Sequence, residues 1–552
     1  MYPNDSIWGE VTPTVSSILT SYYEVRHHAL INATPRDAAT PSTAGKKIES
    51  LTAPLLEAPA SSVMRGGRTT PCNAYRYIIL LLGCSANVIS YTDRGVISLA
   101  IVPMAEDLQY MDEAAQGIAL SAFFFGYICT QLLGGLLSRR YGPKRIIIGA
   151  TSIFALATIC TPAAARISLP TLFAARMVLG LGEGALLPCL HDLGVAWVAP
   201  TERSTAAALM TSGQFLGQAI SMLCGAPLIA VRWSDAFYLF GGCGLLWCII
   251  FAALVSNSPD DHRCVSRAEL AVIQAREKQQ LRAADSAAIG QATTSEEAGG
   301  GSRHVQPSSV EMVIPPSPAL SSTSITSAHG LTDDGSRLES RLPPPHIPWR
   351  RVLTNRAAVA IYVAHWCHNW SWYLLLSWLP KFLTQRGADL RQAGFLSMLP
   401  PLLAFILSNA GAAIADRLLL RRLRLSLTSV RRILGAFTHL GPSFAMLTLA
   451  CVPASLCGPG TSATLACVAI GLGALNQSAF WANIMDIAPN HAGIIVGISN
   501  TMATLPGILC NLSTGYMLEH GLGWPPVLLL GAGLELLAAI VYINLARGEP
   551  QF

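Results

Sequence analysis

Charge is scarce in this chain. Only 12% of its 552 residues are Asp, Glu, Lys or Arg, against about 25% in a soluble globular domain. With 51% hydrophobic residues and a mean hydropathy of +0.44, it reads as an integral membrane protein. No CxxC pair and no Cys/His spacing suited to zinc occurs. The 14 cysteines are scattered, mostly through apolar segments, and read as small buried hydrophobes. No nucleophile–base set or metal cluster falls on one expected helix face, so neither an enzyme nor a cofactor is supported. The net charge of +5 is modest and sits in particular loops, which leaves nucleic acid without a footprint. No apolar h-region opens the chain, which argues against a cleaved secretory signal. Six acidic residues within 1–70, among them Asp5 and Glu10, argue against a simple transit peptide.

What is abundant is apolar sequence of spanning length. Segments fall near 75–101, 115–138, 144–165, 168–192, 204–230 and 236–256, and again near 357–383, 392–416, 431–453, 461–486, 492–518 and 525–545. The expectation is an all-α membrane protein with twelve transmembrane helices in two six-helix bundles, 71–256 and 350–546. Residues 1–70, rich in Ser, Thr, Ala and Pro, read as a disordered cytoplasmic tail. Residues 257–349 read as a cytoplasmic linker, mostly disordered, with one helix opened by the capping box Ser266-Arg-Ala-Glu269.

Basic residues set the orientation. Arg139, Arg140, Lys144 and Arg145 follow segment 2, and Arg417, Arg421, Arg422, Arg424, Arg431 and Arg432 follow segment 8. Loops 1–2, 9–10 and 11–12 hold no Lys or Arg. By the positive-inside rule both termini and the even-to-odd loops face the cytoplasm or its organellar equivalent. Lys381, Arg386 and Arg391 in loop 7–8 are a mild exception.

Within the apolar runs, a few charges carry the chemistry, since an ionisable group at membrane depth is costly and normally faces a protein interior or a water path. Segment 4 reads RMVLGLGEGALLP, with Arg176 and Glu183 seven residues apart. That is about 10.5 Å of helix, close to two turns, so both side chains share one face. Gly180, Gly182 and Gly184 between them let a neighbouring helix or a ligand approach closely. A permanent cation and a titratable acid on one stripe suit an anion coupled to a proton; a purely structural charge pair is the alternative. Segment 1 carries Asp93-Arg94 mid-span, and two arginines forking onto oxygens would hold a di-anion near the midplane. Segment 7 carries His365 and His368 one turn apart, as substrate donors or as packed, hydrogen-bonded histidines among tryptophans. Asp486, ending segment 10, is a candidate for ion coupling, though its place near an interface suits a cap or gate. Glu535 in segment 12 reads as a bundle-facing or snorkelling residue without function.

The two basic loops also resemble each other. GGLLSRRYGPKR at 134–145 and GAAIADR at 411–417 both follow the second helix of a half. They look like the signature loop of the major facilitator superfamily, with Arg139 replacing the usual acid in the first copy and Asp416 keeping it in the second. GLGEGALLPCLHDLGVAWVAPTERS, QGIALSAFFFGYICTQLLGG, HWCHNWSWYLLLSWLP and DIAPNHAGIIVGISNT resemble the anion-transporting solute carriers. That group includes vesicular glutamate transporters, sialin and plastid phosphate transporters; CHNW, DRG…AIVPM and GYMLEHG look closest to the plant and algal phosphate branch. The resemblance covers about 75–548 and implies roles for Arg94 and Arg176 in anion transport and for Glu183 in proton coupling. His365 and His368 stand at the family's segment 7 positions. Leu120, Ile484 and Thr205 depart from the family pattern, leaving substrate and coupling ion open.

The expected function is secondary active transport of a small anion, inorganic phosphate first, by alternating access with H⁺ or Na⁺. An organic anion such as ascorbate, glutamate, sialate or a nucleotide is the rival, and a non-transporting receptor a more distant one. Expected partners are the small anion, the co-transported ion and the lipid bilayer, with the chain a monomer. Substrate binding falls to Arg94, Arg176, His365 and His368, and ion coupling to Glu183, Asp93 and Asp486.

Overall fold

The computed structural model describes residues 75–198, 203–262, 349–453, 455–489 and 491–551, with isolated positions between 264 and 273. The tail 1–70 and nearly all of the linker lie outside the described residues. Twelve long helices follow one another: α1 Tyr75–Asp107, α2 Glu113–Tyr141, α3 Pro143–Ile167, α4 Leu169–Trp197, α5 Arg203–Ile229 and α6 Trp233–Leu254, then α7 Arg356–Gln385, α8 Leu390–Ala413, α9 Leu427–Cys451, α10 Pro459–Gly473, α11 Ala492–Glu519 and α12 Trp524–Leu545. Their starts are set by local chemistry. Asp112, Ser168, Asn355, Asp389 and Ser426 each turn a side-chain oxygen onto an otherwise orphaned N–H of the first turn of α2, α4, α7, α8 and α9.

Among the described residues, nine spans are long and apolar enough to cross a membrane, with α8 counted through Arg422 and α10 through Ile487, and α2 makes a tenth as a span bent by 47°. The other two, α5 and α7, are more polar because their polar side chains turn inward. Ser212, Gln218 and Ser221 of α5 and His365, His368, Ser371, Ser377 and Lys381 of α7 are all buried. An inward polar face spares the bilayer from unpaired donors and acceptors.

Packing repeats between the halves. In the first, α1 lies against α5 and α6, α4 against α2 and α3, and α3 against α6. In the second, α7 lies against α11 and α12, α10 against α8 and α9, and α9 against α12. Each pair maps onto the other by adding six to the helix number, which is the signature of two parallel repeats. The halves meet along α2 with α11 and α5 with α8, again a pair related by the same rule.

The glycines of α4 explain how its charges are aimed. A Cβ on Gly180 would run into the Phe123 carbonyl of α2, and one on Gly182 would stand 2.7 Å from the Ala150 carbonyl of α3. The stripe therefore clamps α4 between two helices and leaves no room there for a ligand. The face carrying Arg176 and Glu183 is thereby held inside the bundle.

The first signature loop turns at Gly142, whose φ of +85° favours glycine. Asn257, just beyond α6, accepts from the Lys144 backbone N–H at 3.0 Å and pins that loop. After α8 the second loop passes through a π-type turn, Ile414–Arg422, and reverses at Arg424 with φ +52°. Two similar sequences thus close in different ways. Part of the capping box forms: Ser266 accepts from the Glu269 N–H at 3.1 Å. The Glu269 carboxylate, instead of returning to Ser266, accepts from the Arg76 N–H at the start of α1.

Candidate functional site

Two buried polar clusters face the middle of the molecule, one in each half. The first is built on α1 and α4. Arg94 Nε donates to Glu183 Oε2 at 2.5 Å, and Ser90 Oγ donates to the same oxygen at 2.7 Å. Both partners are buried, Arg94 at 7% exposure and Glu183 at 1%. Arg94 sits among three aromatic rings, its guanidinium carbon 4.5 Å from Tyr91, 4.4 Å from Phe123 and 4.6 Å from Tyr127. The negative faces of these rings hold the cation in place. Arg176, 2% exposed, lies 6.0 Å over the same Phe123 ring. Asp93 accepts from Thr158 Oγ1 at 2.9 Å and is fully buried.

Pairing in this cluster is incomplete. Arg94 Nη1, Arg176 Nε and Nη1, Glu183 Oε1 and Asp93 Oδ1 are buried without a hydrogen-bond partner. Arg176 lies in electrostatic reach of Glu183, Asp93 and Arg94 yet donates Nε and Nη1 to none of them. Buried donors of a permanent cation are normally satisfied. Three guanidinium nitrogens of this cluster are thus left without an acceptor.

The second cluster is built on α7, α9, α10 and α12. Here α10 breaks: its helix stops at Gly473, a 3₁₀ turn spans Ala474–Gln477, and helix resumes over Phe480–Ile487. The break turns Asn476 inward, where its Nδ2 meets His368 Nε2 at 2.8 Å. His368 Nδ1 stands 3.9 Å from Glu535 Oε1, and His439 Nδ1 stands 2.7 Å from Glu535 Oε2. Glu535 and His439 are both at 0% exposure. Of the two placements expected for Glu535, the bundle-facing one holds and snorkelling does not. An apolar helix with one acid at its buried face has to pair that acid, and the pairing reaches two other helices.

Cavities lie on this second side. One of about 10 Å³, room for a single water, lies between the halves, with Gln218 and Met222 of α5 facing Trp372, Leu376, Ser397 and Pro401 of α7 and α8. A second, also of about 10 Å³, is lined by His368, Ser371, Pro442 and Glu535. Trp372, Leu375 and Ile470 border both. Neither cavity is lined by Arg94 or Arg176, which the aromatic rings close off in this state. Gln218 connects the two regions: its Oε1 has no partner and lies 2.8 Å from where a Cβ on Gly95 would stand, next in the chain to Arg94.

The other sequence candidates fall elsewhere. His365 Nδ1 meets Ser499 Oγ of α11 at 2.8 Å and packs beside Phe480 and Trp481, so it stands as a packed, hydrogen-bonded histidine. Asp486 pairs with Arg431 of the basic loop at 2.6 Å, and Arg431 also donates to the Ser478 carbonyl. That places Asp486 in a lock between α9 and the short helix after α10, at the basic side. Sequence reading missed His439, Asn476 and the rings Tyr91, Phe123 and Tyr127. A lone histidine in the apolar run FTHLGP was the available signal for His439; nothing local foretold that α10 would unwind at Asn476.

The halves are drawn together at the side away from the basic loops. Lys381 at the end of α7 makes an ion pair with Glu113 at the start of α2 and also reaches Gln116 at 2.5 Å. Glu519, ending α11, accepts from the Glu113 N–H at 3.0 Å. Phe124 of α2 meets Tyr373 of α7 edge-on at 4.5 Å between ring centres, and Gly394 of α8 sits against the Met222 carbonyl of α5. The helix ends that hold Lys381, Glu113 and Glu519 carry odd-to-even loops.

A twelve-helix repeat with charged groups buried inside each half is the architecture of a multi-pass membrane transporter. The profile of the Major Facilitator Superfamily matches residues 83–511. An Arabidopsis thaliana protein named "Ascorbate transporter, chloroplastic" is 30% identical over 477 residues, 86% of this chain and 75% of its own length. "Sodium-dependent phosphate transport protein 1, chloroplastic", also from Arabidopsis thaliana, is 30% identical over 510 residues, covering 92% and 85%. "Sialin" of Ovis aries is 30% identical over 449 residues, covering 80% and 77%. Among solved structures, a D-xylose–proton symporter superposes with a TM-score of 0.60 at 13% identity, over 86% of this chain and 98% of that one. A bacterial homologue of the lysosomal transporter Spinster, inward-facing and occupied, gives 0.56 at 13%, over 88% and 98%. The chain belongs to the major facilitator superfamily, in the branch that holds the phosphate and ascorbate transporters and sialin.

Proposed function

We propose that this protein is a secondary active transporter that moves a small anion, inorganic phosphate first, by alternating access and in symport with H⁺. The observation that carries the reading is the pair of buried arginines with three unpartnered donor nitrogens beside a buried acid. The charge balance supports proton coupling. Arg94 and Arg176 contribute two fixed positive charges, and Asp93 and Glu183 two negative ones when ionised. An arriving anion upsets this balance in a site that excludes water. A proton taken up by Glu183 restores it and also releases Arg94 Nε from Oε2 to face the anion. The domain reading accords with this mechanism: two bundles, 71–256 and 350–546, rock about the site, joined by the linker 257–349. Lys381, Glu113 and Glu519 hold the side opposite the basic loops shut, and the ring closure over Arg94 corresponds to an occluded state.

A planar organic anion is the second reading. Tyr91, Phe123 and Tyr127 give the arginine pair apolar surface that phosphate does not need, and the ascorbate transporter is as similar in sequence as the phosphate protein. Full-length protein in liposomes, offered labelled phosphate and labelled ascorbate under imposed H⁺ or Na⁺ gradients, separates the readings. Arg94→Ala is expected to abolish uptake of the transported anion while leaving the elution profile of the purified protein unchanged. Glu183→Gln is expected to retain anion exchange and lose the response to the pH gradient. Wild-type uptake by Arg94→Ala would remove it from the site, and an unchanged pH response in Glu183→Gln would remove the proton from that acid.

A further inference from the structure

The second cluster has a property that the first lacks. Glu535 is a fully buried carboxylate with no Lys or Arg in ion pair with it among the described residues; its charged contacts are two imidazoles. Every group facing it is either titratable or neutral. From α7 come His368, Cys367, the Ser371 hydroxyl and, one turn away, His365; from α9 comes His439; from the break in α10 comes Asn476; Tyr542 of α12 lies beyond His439 at 6.2 Å between ring centres. A lone ionised carboxylate in such surroundings is expensive. One proton shared among Glu535, His439 and His368 makes the cluster neutral, and no fixed charge elsewhere in it can do so.

We propose that Glu535, with His439 and His368, is a second proton-binding site of the transporter, loaded from the cavity between α7, α9, α10 and α12. His368 and Glu535 both line that cavity. A hydronium ion there gives its proton to Glu535 Oε1, which is buried and unpartnered, and a water molecule remains. The same transfer runs through His368 when its ring takes the proton at one nitrogen and passes on that of the other. The geometry supports both states. With Nδ2 of Asn476 donating to His368 Nε2, the ring hydrogen sits on Nδ1, which faces Glu535 Oε1 at 3.9 Å. Asn476 Oδ1 is free, so rotating the amide by half a turn lets it accept from Nε2–H when the ring is cationic. His439 donates through Nδ1 to the ionised acid or accepts from the protonated one at 2.7 Å.

Position ties the site to the transport cycle. Asn476 stands at the unwound part of α10, and the cavity shares Trp372, Leu375 and Ile470 with the one between the halves. Loading or emptying the acid therefore acts on the wall that the two bundles share.

The test is independent of the anion. Infrared difference spectra of the purified full-length chain in lipid, recorded across a pH titration, report protonated carboxyl groups directly. A carboxylic C=O band that titrates is expected in the wild type, to persist in Glu183→Gln and to vanish in Glu535→Gln. His439→Gln is expected to keep the band and move its midpoint by about one pH unit or more, the scale on which a neighbouring ionisable group acts. Identical titrating bands in wild type and Glu535→Gln, or a midpoint unmoved in His439→Gln, would overturn the proposal. Should Glu535→Gln not fold, the His439→Gln and His368→Gln titrations decide alone: both midpoints move if the site exists, and neither moves if it does not. Loss of anion uptake in Arg94→Ala bears on the first cluster only and leaves this result untouched.

Discussion

Replacing Lys381 by Met should open the closed side of the transporter by a calculable amount. Lys381 is a cation in a cross-bundle contact with two acids: it is paired with Glu113, is bonded to Gln116, and lies in electrostatic reach of Glu519. Its side chain is 8% exposed and that of Glu113 30%. A hydrogen bond to a charged group contributes about 1.5–3 kcal/mol net, and the partial exposure of Glu113 argues for the lower part of that range. Met keeps the length and apolar stem of Lys. The substitution therefore removes roughly 2 kcal/mol from the closed state, and the residual repulsion of Glu113 and Glu519 adds to the opening. At 1.4 kcal/mol per tenfold, that is about a thirtyfold shift in the open-to-closed ratio. Hydrogen exchange of the full-length protein in lipid nanodiscs reads it directly. Amides at the start of α2 and the end of α11 should exchange about thirtyfold faster, whereas amides around Arg431 and Asp486 on the basic side should not. Neutralising both acids as well, in Lys381→Met/Glu113→Gln/Glu519→Gln, should return only the part due to repulsion and leave the shift from the lost Lys381 contacts. Unchanged exchange at α2 and α11 in Lys381→Met would refute the view that this cluster holds the halves together.

Other expectations follow from the same contacts. Gly180→Ala puts a methyl group into the Phe123 carbonyl and should prevent α2 and α4 from packing, seen as loss of monodisperse protein on size exclusion; Gly149→Ala in α3, where no atom lies within 4 Å of the added Cβ, should behave as wild type. Asp486→Asn removes the negative charge and one of the two acceptor oxygens facing Arg431 and should lower the thermal transition by a few degrees without changing the affinity for the anion. A changed affinity would bring Asp486 back into the site.

Periodicity and charge along the chain carried much of the architecture. Twelve apolar stretches, six and six, and two basic loops after the second helix of each half are local features, and each is visible without a neighbour. The pair Arg176 and Glu183 was legible for the same reason, since seven residues on a helix bring side chains to one face whatever packs against it. Their partners were not legible. Glu183 bonds to Arg94, 89 residues earlier in sequence, and Arg176 keeps its donors free; a helical wheel cannot show which of two arginines an acid chooses. The glycines of α4 allowed either a helix or a ligand beside them, and only the positions of the Phe123 and Ala150 carbonyls showed that both places are taken by helices.

The amino-acid order alone determined that this chain lives in a membrane, how often it crosses, which ends are basic and which helices carry charge, because lipid imposes its demands residue by residue. Tertiary structure alone decided which of those charges meet. His365 and His368 are one turn apart on α7, yet one is spent on Ser499 and the other faces Glu535. That acid gains its meaning from His439 and from the unwinding of α10 at Asn476. Such pairings join residues of five different helices, and they exist only once those helices are packed against each other.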